Sequence, residues 1–211
     1  MIDGLPRKLD KQTLLEGVKW LSEKDPDLDK VISKYGPPPL WDREPGFSSL
    51  LKIILEQQVS LASAQSTYVK LVTKLGTLTP ESFLTLDDAE LKECGFSRQK
   101  TRYGRILANA ILDGSLDLIG LESLPNDEVE DKLTALTGIG KWTAGIYLLM
   151  ILCRPDVWPR GDLALNKAMI EVKGLESVPN NDLAEEIAEN WSPWRSVAAR
   201  ILWHHYLKGR G

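Results

Sequence analysis

Two stretches of the chain hold residues whose types and spacing could do chemistry. Residues 133–144 read LTALTGIGKWTA. A helical pattern on each side is broken at Gly138-Ile139-Gly140, where glycine permits positive φ and close approach of a partner. The helix that follows begins with free backbone N–H groups, a place where a phosphate can sit, and Lys141 adds positive charge. A plain helix–turn–helix connection would use the same turn. Farther on, residues 157–165 read VWPRGDLAL. Asp162 follows a glycine there and precedes a helical stretch, so it can cap that helix, whose dipole keeps a carboxylate ionised. Trp142 and Trp203 are two of seven tryptophans and by themselves read as core. His204 and His205 are adjacent, so on a helix they point in different directions and do not form a metal pair.

The elements that must position these residues are helices. Apolar residues recur at helical spacing from Thr13 to Tyr35, with an interruption at Asp25-Pro26. Pro37, Pro38 and Pro39 make the next segment a loop. Helices are expected over 48–56, 61–75 after Ser60, 97–112 after Ser97, and 127–136 with Asn126 as cap. A strongly apolar helix should run from Lys141 to Leu152, and another from Asp162 to Val172. Asp182 and Ser192-Pro193 should open the last two, with Pro193 at the favoured first helical position. No alternating strand pattern and no repeat is visible. The fold class is all-α, with about ten helices.

The full run L-x-G-I-G-x-W-T-A resembles the hairpin of the helix-hairpin-helix DNA glycosylase superfamily. Residues 54–60, ILEQQVS, are similar to the I-x-x-Q-x-V-S stretch of its 3-methyladenine DNA glycosylase II, or alkyladenine, branch. Residues 192–203, SPWRSVAARILW, resemble that branch's C-terminal helix. The resemblance covers residues 10–207. It implies two helical subdomains with the active-site cleft between them, in a form lacking the N-terminal β-rich domain of some relatives. Residues 45–120 would form one subdomain, and 10–44 with 121–211 the hairpin-bearing other. It implies that Asp162 is the catalytic carboxylate and that Trp142 and Trp203 line the base pocket. Gly138, Gly140, Lys141 and Thr143 would grip the DNA backbone. Backbone carbonyls of Thr134, Leu136 and Ile139 would hold a structural sodium or potassium ion. Gln58 lies where the branch wedges a side chain into the duplex, and it reads equally as that wedge or as a solvated turn glutamine. Ile146 replaces a pocket tyrosine of one relative, which makes the pocket less aromatic.

Bifunctional members of the superfamily carry a nucleophilic lysine two residues after the second hairpin glycine. Trp142 occupies that place. Lys141 lies one residue earlier, about 100° around the helix. The resemblance therefore implies a monofunctional enzyme that uses water and no catalytic cofactor. It would excise alkylated purines such as 3-methyladenine and 7-methylguanine after flipping them out of the duplex. Aromatic walls favour such electron-poor rings. Two alternatives stay open: a non-catalytic helix-hairpin-helix DNA-binding module, and a mismatch or uracil glycosylase of the same fold.

Composition narrows the classes further. The chain has 211 residues, 43% hydrophobic and 27% charged, enough apolar material for a sizeable core. Two cysteines, Cys94 and Cys153, are too few for a disulfide framework or an iron–sulfur cluster. No run of about 18 apolar residues points to a membrane span. The net charge of −4 argues against coating DNA through phosphate contacts alone. Arg98, Lys100, Arg102 and Arg105 cluster on one helix and read first as a solvated or salt-bridged face. The expected partner is double-stranded DNA containing alkylated bases, met by a monomer in the cytoplasm or nucleoid of a prokaryote, or in a eukaryotic nucleus.

Overall fold

The computed structural model describes residues 8–209. Those residues form twelve α-helices, a 3₁₀ turn at Gly120–Ser123 and a π turn at Tyr147–Ile151. The chain divides into two compact units, one holding Arg43–Tyr147 and the other residues 8–42 with 148–209.

The first unit contains α3 (Phe47–Glu56), α4 (Leu61–Leu75), α5 (Pro80–Leu84), α6 (Asp88–Cys94), α7 (Arg98–Leu112), α8 (Asn126–Thr134) and α9 (Lys141–Ile146). Helix α3 is its centre and packs against α4, α7 and α9. Its Leu50, Leu51, Ile53 and Ile54 are fully buried, because apolar residues occupy every inward position of FSSLLKIILE. Phe83 lies between Phe47 and Phe96, with ring centroids 5.7 Å away on both sides. The C-terminal end of α3 is held twice. Arg43 grips Glu56 with two hydrogen bonds of 3.0 Å, and Lys100 donates to the Leu55 carbonyl at 2.6 Å.

The second unit contains α1 (Lys11–Lys24), α2 (Pro26–Tyr35), α10 (Leu163–Lys173), α11 (Asn181–Glu189) and α12 (Arg195–Lys208). Helix α12 is central and packs against α1, α2, α10 and α11. Small residues Ser196, Ala198 and Ala199 are fully buried on it, so its neighbours approach closely. Arg200 is also fully buried there. Its guanidinium donates to three backbone carbonyls: Leu40 at 2.6 Å, Leu149 at 2.7 Å and Ser196 at 3.0 Å. Burial brings its pKa down to about 10. A second hub is Asp25, which caps α2 and accepts from Trp191 Nε1 at 2.7 Å and from Lys173 at 3.0 Å.

Several expectations need correction. The hairpin segment 121–147 belongs with 43–120, not with the N- and C-terminal helices. The cause is local: Gln57, at the end of α3, hydrogen-bonds the hairpin, and Leu133 and Ile139 are buried. The apolar helix after Lys141 is α-helical only to Ile146 and then widens into the π turn, which an apolar run cannot signal. Asn126 is the first residue of α8 rather than its cap. Asn180 caps α11, with Asp182 in the first turn. Pro193 is not the first residue of α12. Arg195 N–H donates to Asp156 and Ser196 N–H to the Pro155 carbonyl, so the preceding loop supplies the cap and the helix starts later.

Burial pushes the Asp25 carboxyl up, but the Trp191 N–H and the Lys173 ammonium more than offset this and leave it below its usual value. A depressed carboxylate contributes stability that is present above its unfolded pKa and lost as pH falls through the folded value. Asp25→Asn keeps the cap but removes the charge. It should cost roughly 1–3 kcal/mol at pH 7. The gap from wild type should close as pH falls below about 4, because the wild type then loses the same interaction. Urea unfolding of both proteins at pH 7, 5 and 3.5 measures this.

Candidate functional site

The hairpin is built in the first unit. Helix α8 ends at Thr134, and the Ile139 N–H closes a turn onto the Leu136 carbonyl at 3.0 Å. Gly138 has φ +102, and a Cβ there would fall 2.2 Å from Tyr103 Cγ. Glycine is thus required twice, by the backbone angle and by the ring beneath it. Gly140 differs from the expectation that both glycines serve positive φ. Its φ is −102 and nothing lies within 4 Å of its Cβ position. It caps α9 without a side chain, so no side-chain oxygen occupies the N–H groups of the first turn. Lys141 is exposed there and pairs with Glu130 at 3.5 Å. Thr143 is buried, and Trp142 is half-buried.

Sequence reasoning missed Gln57. Its Nε2 donates to the Gly138 carbonyl at 2.8 Å and to Thr143 Oγ1 at 2.9 Å, locking the hairpin to the end of α3. The paired glutamines of ILEQQVS were the available signal, but only the second was singled out. That second residue, Gln58, is exposed in the turn between α3 and α4 with φ +57. Val59 and Leu61 beside it are exposed too. Of the basic cluster on α7, Lys100 holds the Leu55 carbonyl and Arg105 pairs with Asp88 at 2.7 Å. Arg98 and Arg102 are exposed.

Asp162 is built in the second unit. It is 8% exposed and caps α10, its Oδ1 accepting from the Leu165 N–H at 2.9 Å. Trp203 Nε1 donates to the same oxygen at 3.2 Å. Cap and buried tryptophan therefore meet on one carboxylate. The loop before Asp162 is fastened to its neighbours. Asp156 binds Arg195, and Val157 donates from N–H and accepts at its carbonyl from Ser196 Oγ. Arg160 bridges Asp182 and Glu185. Trp203 is 8% exposed and meets Trp41 edge-on at 6.5 Å between centroids. Trp41 has φ +50, a strained value for a bulky residue costing on the order of 1–3 kcal/mol. His205 turns to Glu171, and His204 packs against Trp41 and Tyr35, so the two histidines do diverge.

A glycine hairpin with open amides and a buried helix-capping carboxylate on the following helix define a helical DNA-repair scaffold. The chain belongs to the HhH-GPD superfamily base excision DNA repair proteins, whose profile matches residues 51–193. It is 28% identical over 193 residues to the alkylbase DNA glycosidase-like protein mag2 of Schizosaccharomyces pombe, covering 88% of this chain and 90% of that protein. The structure of the S. pombe 3-methyladenine DNA glycosylase Mag1 with abasic DNA superimposes with a TM-score of 0.81. Its identity is 26%, over 89% of this chain and 95% of that one. A DNA-3-methyladenine glycosidase from Bacillus halodurans is 30% identical with a TM-score of 0.74, covering 90% and 88%.

The two hairpin glycines should respond differently to alanine. Gly138→Ala should lose roughly 1–3 kcal/mol by overpacking against Tyr103 and forcing a strained φ. Gly140→Ala should change stability by less than about 0.5 kcal/mol, since it enters open space at an ordinary φ. Denaturant titrations of the two variants separate them.

Proposed function

We propose that the protein is a monofunctional DNA glycosylase of base excision repair that hydrolyses the N-glycosidic bond of alkylated purines, 3-methyladenine and 7-methylguanine among them. The observation that carries this reading is the buried Asp162 carboxylate held by Trp203 on a member of this family. The flipped nucleotide brings its sugar to Asp162. As the bond from C1′ to the base nitrogen lengthens, its electron pair leaves with the base and positive charge grows on the sugar. Asp162 stabilises that charge and orients the water that adds to C1′. Purines alkylated at N3 or N7 are already cationic, so they leave without a dedicated acid. Trp203 and Trp142 are the proposed aromatic walls of the base pocket, with attraction of roughly 0.5–2 kcal/mol per contact for a cationic ring.

The DNA backbone is gripped at Gly138, Gly140, Lys141 and Thr143, with a phosphate on the open amides of α9. Gln58 is the proposed wedge, supported by its exposure and its left-handed backbone. The carbonyls of Thr134, Leu136 and Ile139 form an all-oxygen donor set that suits sodium or potassium. The Gly138 carbonyl is already committed to Gln57. A bound alkali ion would add positive charge facing the phosphate, where Lys141 is partly neutralised by Glu130. Work on DNA places the protein in the nucleoid or nucleus.

Two outcomes are expected. Methylated duplex DNA should release free 3-methyladenine or 7-methylguanine and leave unbroken abasic strands until alkali is added. A borohydride-trapped covalent adduct would overturn monofunctionality, and binding without any base release would favour a DNA-binding module. Asp162→Asn keeps the cap, so the melt should shift by at most about 1 kcal/mol in stability. Single-turnover excision should fall roughly a hundredfold or more, the scale of one lost electrostatic contact. A variant that melts normally and excises at the wild-type rate would make Asp162 a cap alone.

A further inference from the structure

Trp41 is not used by the mechanism above, yet the second unit holds it in a costly position. It follows the triple-proline loop and has φ +50, a backbone region that bulky residues avoid. Strain of this kind persists only where the surroundings enforce it. Here the enforcing group is Arg200, whose buried Nε donates to the carbonyl of Leu40, the residue immediately before. The strain does not serve burial, because Trp41 stays half-exposed while Trp203 beside it retains only 8% of its surface. The indole of Trp41 meets Trp203 edge-on at 6.5 Å, and Trp203 in turn donates to Asp162 at 3.2 Å. A partly open aromatic ring is therefore tied through one neighbour to the carboxylate.

We propose that Trp41 is a specificity-determining residue whose open indole surface recognises the extruded base, selecting electron-poor, cationic purine rings over neutral ones. This rests on the alkylpurine reading of Asp162 and adds the group that sets its selectivity. A ring quadrupole attracts a cation, and the attraction strengthens when water is excluded. A neutral purine gains stacking from the same surface but not the charge term. Removing the indole thus lowers excision of cationic bases more than that of neutral ones. A ring that only braced Trp203 would affect both classes alike.

Glycine is the informative replacement at this position, because it adopts φ +50 without strain and removes the ring. Trp41→Gly and the conservative Trp41→Phe are compared with wild type by single-turnover excision of 7-methylguanine and of neutral hypoxanthine from duplex DNA. Thermal melts and affinity for an abasic duplex are measured in parallel. The ratio of the two excision rates should fall roughly tenfold in Trp41→Gly, the scale of one cation–π contact. Trp41→Phe should restore most of the ratio, and abasic-duplex affinity should stay near wild type. A wild-type ratio in either a folded Trp41→Gly protein or, if that protein does not fold, a Trp41→Leu protein overturns this inference while leaving the alkylpurine reading intact. A wild type that releases no methylated purine overturns both together.

Discussion

A guanidinium with no access to water must have its donors satisfied by protein, and in the second unit that requirement organises the chain. Arg200 draws in the carbonyls of Leu40, Leu149 and Ser196, one from the proline loop, one from the π turn and one from its own helix. Burial disfavours its charge, which is why its pKa falls to about 10, yet at neutral pH it remains a cation. Charge-assisted hydrogen bonds to three main-chain segments fix the segments themselves, whatever side chains they carry. Trp41 and the stretch leading to the Asp162 loop are thereby set from a single point in the core. Replacing the arginine by an apolar residue would orphan three carbonyls at once.

The two candidate elements use opposite means. The hairpin of the first unit works by leaving side chains out: glycine at 138 lets Tyr103 pack beneath the turn, and glycine at 140 leaves the amides of α9 uncovered. Gln57 then fastens the turn by its carbonyl, not by its side chains. The Asp162 site works by adding fixed partners to one charge. A helix start and an indole N–H both favour the ionised carboxylate, so its negative charge is already oriented before any positive charge develops opposite it.

Helix positions were legible because the caps are written in side chains. Asp10, Ser60, Ser97 and Asp162 all accept from the first turn of the helix they precede. The meeting of Asp162 with Trp203 followed from the resemblance alone, since no local pattern links a loop carboxylate to a distant indole. What stayed hidden depends on contacts between separated segments. The allocation of the hairpin to the first unit rests on Gln57, a residue indistinguishable in type from its neighbour Gln58. The late start of α12 rests on caps supplied by Asp156 and Pro155. The strained backbone at Trp41 and Gln58 has no signature at all, because neither is glycine or asparagine.

The ion pair between Lys141 and Glu130 has a bearing on how such a hairpin would meet nucleic acid. An ammonium already facing a carboxylate contributes little to displacing the counterion atmosphere of a duplex. The grip then depends on main-chain dipoles, which act only at short range and only when a phosphate is correctly seated. Together with the acidic net balance, this keeps long-range, sequence-blind adhesion weak. A molecule of this kind dwells briefly on ordinary duplex and spends most of its search unbound, held only where the strand itself yields.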